Sequence, residues 1–238
     1  MQRMNDPLFE AHGPPELPDD LSPDEVIRAL EAHLTPERVR RIREVVAGRS
    51  LSIAPVLDRI HDPHNASAIM RSADAFGIQR LHIIAEHGAF LANQKVAKGT
   101  ERWLDLIRYN DPEQATDALR QEGYRIFVAA MDGEHRPETL PEEGDRIAVV
   151  LGNEHRGVSE EFRKLADGSF AIPMLGFVES LNVSVAAAVT LYTLSQRLHA
   201  PLTEQERVRL EARMMISSTR SAESILERAR IAARRGPG

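Results

Sequence analysis

Pro173-Met174-Leu175-Gly176-Phe177-Val178-Glu179-Ser180-Leu181-Asn182-Val183-Ser184-Val185-Ala186-Ala187-Ala188 changes character twice within sixteen residues. A short apolar strand, Phe170 to Ile172, leads into a Pro-Met-Leu-Gly loop, and a long apolar helix, Asn182 to His199, follows. Glu179, Ser180, Asn182 and Ser184 gather where the helix begins. The free N–H groups of a helix start suit the binding of polar groups. Two earlier segments repeat the design of apolar strand, polar loop and helix. One runs from Val56 through His61-Asp62-Pro63-His64-Asn65 to Arg71, and the other from Val149 through Leu151-Gly152-Asn153-Glu154 to Glu161.

Outward from these segments, strands and helices alternate. The pattern predicts strands at Ile53–Ile60, Leu81–Ala85, Trp103–Ile107, Tyr124–Ala130 and Arg146–Leu151. Helices are expected at Asn65–Phe76, from Asp111-Pro112 to Gly123, and at Ser159–Ala166. Such alternation indicates an α/β domain with a mainly parallel sheet. The first strand–helix turn lacks GxGxxG, so the usual dinucleotide fingerprint is missing. Before this domain, Ser22-Pro23-Asp24-Glu25 opens one short helix and Thr35-Pro36-Glu37 a second that ends at Gly48. After it, Pro201 breaks the chain, Thr203 and Glu206 form another capping box, and a last helix spans Ala222 to Arg234. The expected division is therefore 1–50, 51–200 and 201–238.

With 238 residues the chain can hold one sizeable core plus appendages. It has no apolar run long enough for a membrane span. Zero cysteines exclude disulfides and thiolate metal sites and fit a reducing cytoplasm. The acidic, Pro-rich Met1–Asp20 does not read as a signal peptide, and Met1–Leu21 is expected to be loosely attached. Residues 1–33 hold eight acids and two bases, which accounts for the whole net charge of −6. In the neutral remainder Arg38, Arg40, Arg41, Arg43 and Arg49 cluster, and a second Arg-rich stretch, Arg207 to Arg235, is accompanied by Glu204, Glu206, Glu211, Glu223 and Glu227. Arginine suits phosphate through its bidentate fork. The first cluster, with Arg38, Arg40, Arg41 and Arg49, is the better RNA candidate, because only Glu37 and Glu44 accompany it. His61 and His64 flank Asp62 without a third ligand at suitable spacing, so no metal is expected.

Taken in order, the three long segments resemble the motifs of the SPOUT-class RNA ribose 2′-O-methyltransferases, and most closely the TrmH (SpoU) family that acts on tRNA guanosine. The resemblance covers about Thr35 to His199. It implies a SPOUT fold, an α/β domain with a C-terminal trefoil knot, with helical extensions at both ends. It also implies S-adenosyl-L-methionine as cofactor, a homodimer, and the 2′-hydroxyl of guanosine 18 in the tRNA D-loop as target. An rRNA or anticodon-loop nucleotide is the alternative within the class, and a non-catalytic RNA-binding SPOUT protein the contrasting one. Carried onto this chain, the catalytic residues are Arg71, Asn65, Glu154, Ser180 and Asn182. Ala129, Leu151, Gly152, Ile172, Met174 and Leu181 would meet the cofactor, with Gly152 letting it approach the backbone closely. Arg71 matches the residue proposed to act on the ribose hydroxyl. An arginine is hard to deprotonate, so orientation and phosphate binding are the firmer part of that role. Glu179 stands where close tRNA enzymes often have Gln, and Ala129 where some have Thr. The intact Asn65, Arg71, Glu154, Ser180 and Asn182 argue against the non-catalytic alternative.

Overall fold

The computed structural model describes residues 15–84, 99–140 and 146–235. Most of the expected loose start lies outside these residues. Two compact units make up the chain. One is built on residues 50–200, and the other joins the N-terminal segment ending at Arg49 to the C-terminal segment from Pro201. The two helical extensions that the sequence separates thus form one unit.

In the α/β unit, β1 (Ile53–Asp58), β2 (Arg80–Ile84), β3 (Asp105–Tyr109), β4 (Arg125–Ala129), β5 (Ile147–Leu151) and β6 (Gly168–Phe170) form one sheet in the order β3-β2-β1-β5-β4-β6. Every pairing is parallel. β1 and β5 are buried along their whole length, as expected of parallel strands covered on both faces. On one face, Ile53, Leu57, Ile147 and Val149 pack with Ile69 and Ala73 of α3 (Pro63–Ala75) and with Leu191 and Leu194 of α6 (Val183–Ser195). On the other, Ala54, Val56, Ala148 and Val150 meet Ala115 and Leu119 of α4 (Pro112–Gln121) and Phe162 of α5 (Glu160–Leu165).

Strand limits differ from the sequence reading where a neighbouring strand decides them. β3 begins at Asp105, the residue opposite Arg80 at the start of β2, and Trp103 lies in a 3₁₀ turn, Thr100–Trp103. β6 ends at Phe170, opposite Ala129 at the end of β4, so Ile172 lies in the loop beyond. β1 stops at Asp58 because Arg59 turns into the left-handed region at φ 52°.

The helical unit contains α1 (Pro23–Glu31), α2 (Pro36–Ala47), α7 (Glu204–Ser218) and α8 (Ala222–Arg235). α7 packs against α1 and α2, and α8 against α1. Ser22 with Glu25 and Thr203 with Glu206 both form reciprocal capping boxes, the devices visible in the sequence. Val26, Leu30, Val39, Ile42, Val46, Leu210 and Met214 are buried.

Candidate active site

β1, β5, β4 and β6 are neighbours and run parallel, so the loops after them leave the sheet along one edge. The chain order reverses between β1 and β5. Open parallel sheets bind ligands in the crevice at such a reversal, beyond the strands' C-terminal ends. The first two motif loops follow β1 and β5, and the third follows β6.

Across that crevice one residue from each motif joins a single hydrogen-bonded chain. Asn65 is the third residue of α3, whose start is set by Pro63 and by Asp62 Oδ1 accepting from the His64 N–H at 2.8 Å. Asn65 Nδ2 donates to Glu154 Oε1 at 2.6 Å. Asn65 Oδ1 accepts from Asn182 Nδ2 at 3.1 Å. Asn182 caps α6, its Oδ1 accepting from the Ser184 N–H at 2.8 Å and from Ser184 Oγ at 2.6 Å. The direction of this chain is fixed from both ends: an ionised carboxylate can only accept and a backbone N–H can only donate. The two amides between them have no freedom to flip.

The loop carrying Glu154 is tightly folded. Asn153 and Gly157 exchange backbone hydrogen bonds at 3.0 and 2.8 Å, with Gly157 at φ 69°. A Cβ on Gly152 would lie 2.1 Å from the Gly157 carbonyl carbon and the Val158 nitrogen. On that side the missing Cβ leaves room for the protein's own backbone.

The other expected residues fall into separate places. Arg71 is exposed, has no hydrogen-bond or ion-pair partner among the described residues, and lines an open depression of about 480 Å³ with His64, Ser67, Ala68, Ser72, Ala75 and Phe76. Ser180 is exposed in the loop two residues before Asn182, outside the Glu154–Asn65–Asn182 chain. Ala129, Ile172, Met174 and Leu181 are half-buried at the end of β4 and in the loop after β6. Leu151, at the end of β5, is only 1% exposed and packs in the core. In the same loop after β6, Leu175 and Phe177 are fully exposed.

In the helical unit, the Arg40 and Arg41 side chains are 70% and 68% exposed, with Glu44 at 3.9 and 3.4 Å. Arg38 is exposed and donates to Ser218 Oγ at 3.0 Å. Arg49 is 1% exposed, so it cannot serve as a phosphate contact and leaves the expected RNA-binding set. Among the described residues no group of three or more His, Cys, Asp or Glu could hold a metal ion.

Residues 52–192 match the family model described as the SpoU rRNA Methylase family. The chain belongs to that family. It is 38% identical over 175 residues to a tRNA (guanosine(18)-2′-O)-methyltransferase of Thermus thermophilus, covering 73% of this chain and 90% of that one. Among solved structures, a TrmH/SpoU tRNA modifying enzyme of A. aeolicus superposes with a TM-score of 0.67 at 27% identity, over 79% of this chain and 97% of the other. The SpoU methyltransferase AviRb from Streptomyces viridochromogenes, solved in complex with AdoMet, gives a TM-score of 0.55 at 26% identity, over 65% of this chain and 60% of that one. The parallel α/β fold is thus the family's. Sequence reasoning left Asn153 and the site role of Ser184 out of the candidate residues. Their signal was position alone: Asn153 directly precedes Glu154, and Ser184 is the second residue of α6.

Proposed function

We propose that the chain transfers a methyl group from S-adenosyl-L-methionine to the ribose 2′-hydroxyl of RNA, at guanosine 18 of the tRNA D-loop. The observation that carries this reading is the Glu154–Asn65–Asn182–Ser184 chain, which locks the three motif loops together at the sheet's reversal point. The named activity of the Thermus thermophilus relative supports the target.

The loops after β4, β5 and β6 suit such a cofactor in kind: they offer apolar side chains and backbone groups, which a nucleoside can meet without a metal. Ala129, Leu151, Gly152, Ile172, Met174 and Leu181 would hold it through backbone and apolar contacts. S-adenosyl-L-methionine supplies an electrophilic methyl ready for in-line displacement. Against that chemistry the protein's tasks are alignment and exclusion of water, and alignment alone can lower a barrier by up to ~10 kcal/mol. Arg71, exposed and without a partner among the described residues, offers its donors to the 2′-oxygen and the adjoining phosphate. Asn65, held between a carboxylate and a second amide, fixes the angle between α3 and the Glu154 loop. The trefoil knot implied by the family belongs to this reading.

The same reading includes a homodimer through α6. Val185, Val189 and Tyr192 are 47%, 40% and 53% exposed at successive turns of one helix face. Two-fold pairing would set this face against its own copy. Sedimentation at micromolar concentration should show a dimer; a stable monomer would remove this part of the proposal. Incubation with labelled S-adenosyl-L-methionine and total tRNA, followed by mapping of the methylated ribose, tests the function. Label at guanosine 18 is the expected result, and label confined to rRNA or to the anticodon loop would overturn the choice of target.

A further inference from the structure

We infer that Asn153 is the positioning residue for Glu154, tying its loop to the exit of β1; the inference rests on the reading of Glu154 as part of the methyl-transfer site. Asn153 engages all four of its polar groups. Its Nδ2 donates to the Arg59 carbonyl at 3.1 Å, and its Oδ1 accepts from the His155 N–H at 2.8 Å. Its backbone N–H donates to Gly157 O at 3.0 Å, and its carbonyl accepts from Gly157 N–H at 2.8 Å. Glu154 lies inside this knot of bonds, between Asn153 and His155.

The partner carbonyl is itself aimed. Arg59 sits at φ 52°, a conformation that costs a non-glycine residue roughly 1 kcal/mol or more. It is held there by its N–H donating to Ile84 O at 3.1 Å and by its guanidinium on Glu161 Oε2 at 2.8 Å. The buried Asp58, next to it, accepts from the Ser159 N–H at 2.8 Å, so the far end of the Glu154 loop is gripped from the same strand exit. These ties fix the backbone on both sides of Glu154, whose exposed side chain reaches Asn65 Nδ2 at 2.6 Å. With the Asn153 side chain removed, the segment from Gly152 to Gly157 loses its link to β1, Glu154 withdraws from Asn65, and the Asn65 amide is no longer oriented.

The test compares wild type, Asn153→Ala, Asn153→Asp, Glu154→Ala and the double variant Asn153→Ala/Glu154→Ala in the full chain. Asn153→Asp keeps the acceptor for His155 but lacks the donor to Arg59, and it serves if the alanine variant folds poorly. The first readout needs no activity: the side-chain amide signal of Asn65 in ¹⁵N spectra, assigned by its loss in Asn65→Ala. Asn153→Ala and Asn153→Asp should move that signal toward its position in Glu154→Ala. The second is the single-turnover rate on tRNA at saturating S-adenosyl-L-methionine. Asn153→Ala should slow it by up to about 10²-fold, the scale of a misplacement of about 1 Å. In the Glu154→Ala background the same change should cost almost nothing, because residues acting through one another are not additive. An Asn65 signal that stays at its wild-type position in both Asn153 variants would overturn the inference, as would a full Asn153→Ala penalty on top of Glu154→Ala. Should wild type transfer no methyl to RNA, the proposed function fails while the amide signal still decides the role of Asn153.

Discussion

The exit loops of the sheet and the surface of α2 both carry polar residues in quantity, yet they handle them in opposite ways. At the loops, polar side chains bond to one another across elements far apart in sequence, as when Asn65 meets Glu154 at 2.6 Å and Asn182 at 3.1 Å. On α2, Arg40 and Arg41 reach, among the described residues, only Glu44 of their own helix, at 3.9 and 3.4 Å and with about 70% of each arginine side chain in solvent. Exposed pairs of that kind contribute about 0–1 kcal/mol and fade with salt. The first region is held together by geometry, and the second presents charge to solvent. Loss of one hydrogen-bonding group should therefore disable the first, whereas the second should respond to the number of charges and to ionic strength.

The largest effect expected comes from breaking the geometry of the α/β unit with acid. His82 in β2 is fully buried, stacked on Tyr109 with Nδ1 2.9 Å from its hydroxyl, and its Nε2 has no hydrogen-bond partner among the described residues. Burial, helped by Arg80, pushes its pKa down to about 3. The unfolded chain takes up that proton near pH 6.5, and the folded chain does not until about pH 3. Between these values the unfolded state binds more protons, so stability is complete above pH 6.5 and falls as the pH drops. At roughly 1.4 kcal/mol per unit the loss approaches ~5 kcal/mol by pH 3. Urea unfolding from pH 7 to 4 should show this slope, and His82→Asn should flatten it. An unchanged slope in that variant would place the titrating group elsewhere. The helical unit's counterpart is Glu25, whose pKa is lowered by hydrogen bonds from Ser22 in the capping box.

Next in size is Arg71→Ala, which asks whether the geometric region holds one charge free for the substrate. Transfer should fall by a factor on the order of 10² or more, the scale of losing a positioned proton-transfer or orienting group. Calorimetry should find S-adenosyl-L-methionine affinity close to wild type, since the cofactor would lie in loops that do not contain Arg71. Lost cofactor binding with an unchanged single-turnover rate would assign Arg71 to the other side of the site.

Legibility in the sequence follows the same division. Asn65, Glu154 and Asn182 stood out because each lies at a strand-to-helix junction, where capping and turn chemistry act within a few residues. The sequence could not show that they touch, since that depends on β1 and β5 being neighbours in the sheet. Ile172 and Trp103 were read into strands because they are apolar, but the partner strand's last or first residue set the ladder's limit. That the Gly157–Val158 backbone fills the Cβ direction of Gly152 is not legible in the sequence, because that backbone returns to it only after a tight turn. Arg49 was counted with its basic neighbours, but it follows Gly48, beyond the end of α2, and is buried. The joining of α1 and α2 with α7 and α8 is a pairing of amphipathic helices at opposite ends of the chain, and nothing in local pattern announces such a partner.

Asn182→Ala sharpens the contrast from within the site, because this side chain is a helix cap and a link in the hydrogen-bonded chain at once. Loss of an N-cap costs about 1 kcal/mol. Asn65 loses the donor to its Oδ1 in the same step. Melting temperature, cofactor affinity and transfer should therefore all decline together, unlike the selective loss expected for Arg71→Ala. A variant that lost stability alone would show that Asn182 is only a cap.

The smallest effect is expected for Arg40→Ala/Arg41→Ala, and it tests the other half of the contrast. Their charges are exposed and weakly paired, so removing them should leave folding and S-adenosyl-L-methionine binding nearly unchanged. If they meet tRNA phosphates, affinity should weaken across all tRNAs alike, because phosphate contacts carry no sequence information. The slope of log K against log salt should then flatten by about 1 for each lost contact. Arg43 is the internal control: it is held by Glu31 at 3.1 Å and Glu211 at 2.8 Å, so its charge is already committed within the helical unit. Arg43→Ala should lower the stability of that unit more than it alters the salt slope. A salt slope that changes for Arg43→Ala and not for the double variant would reverse the assignment, leaving Arg40 and Arg41 as a solvated face.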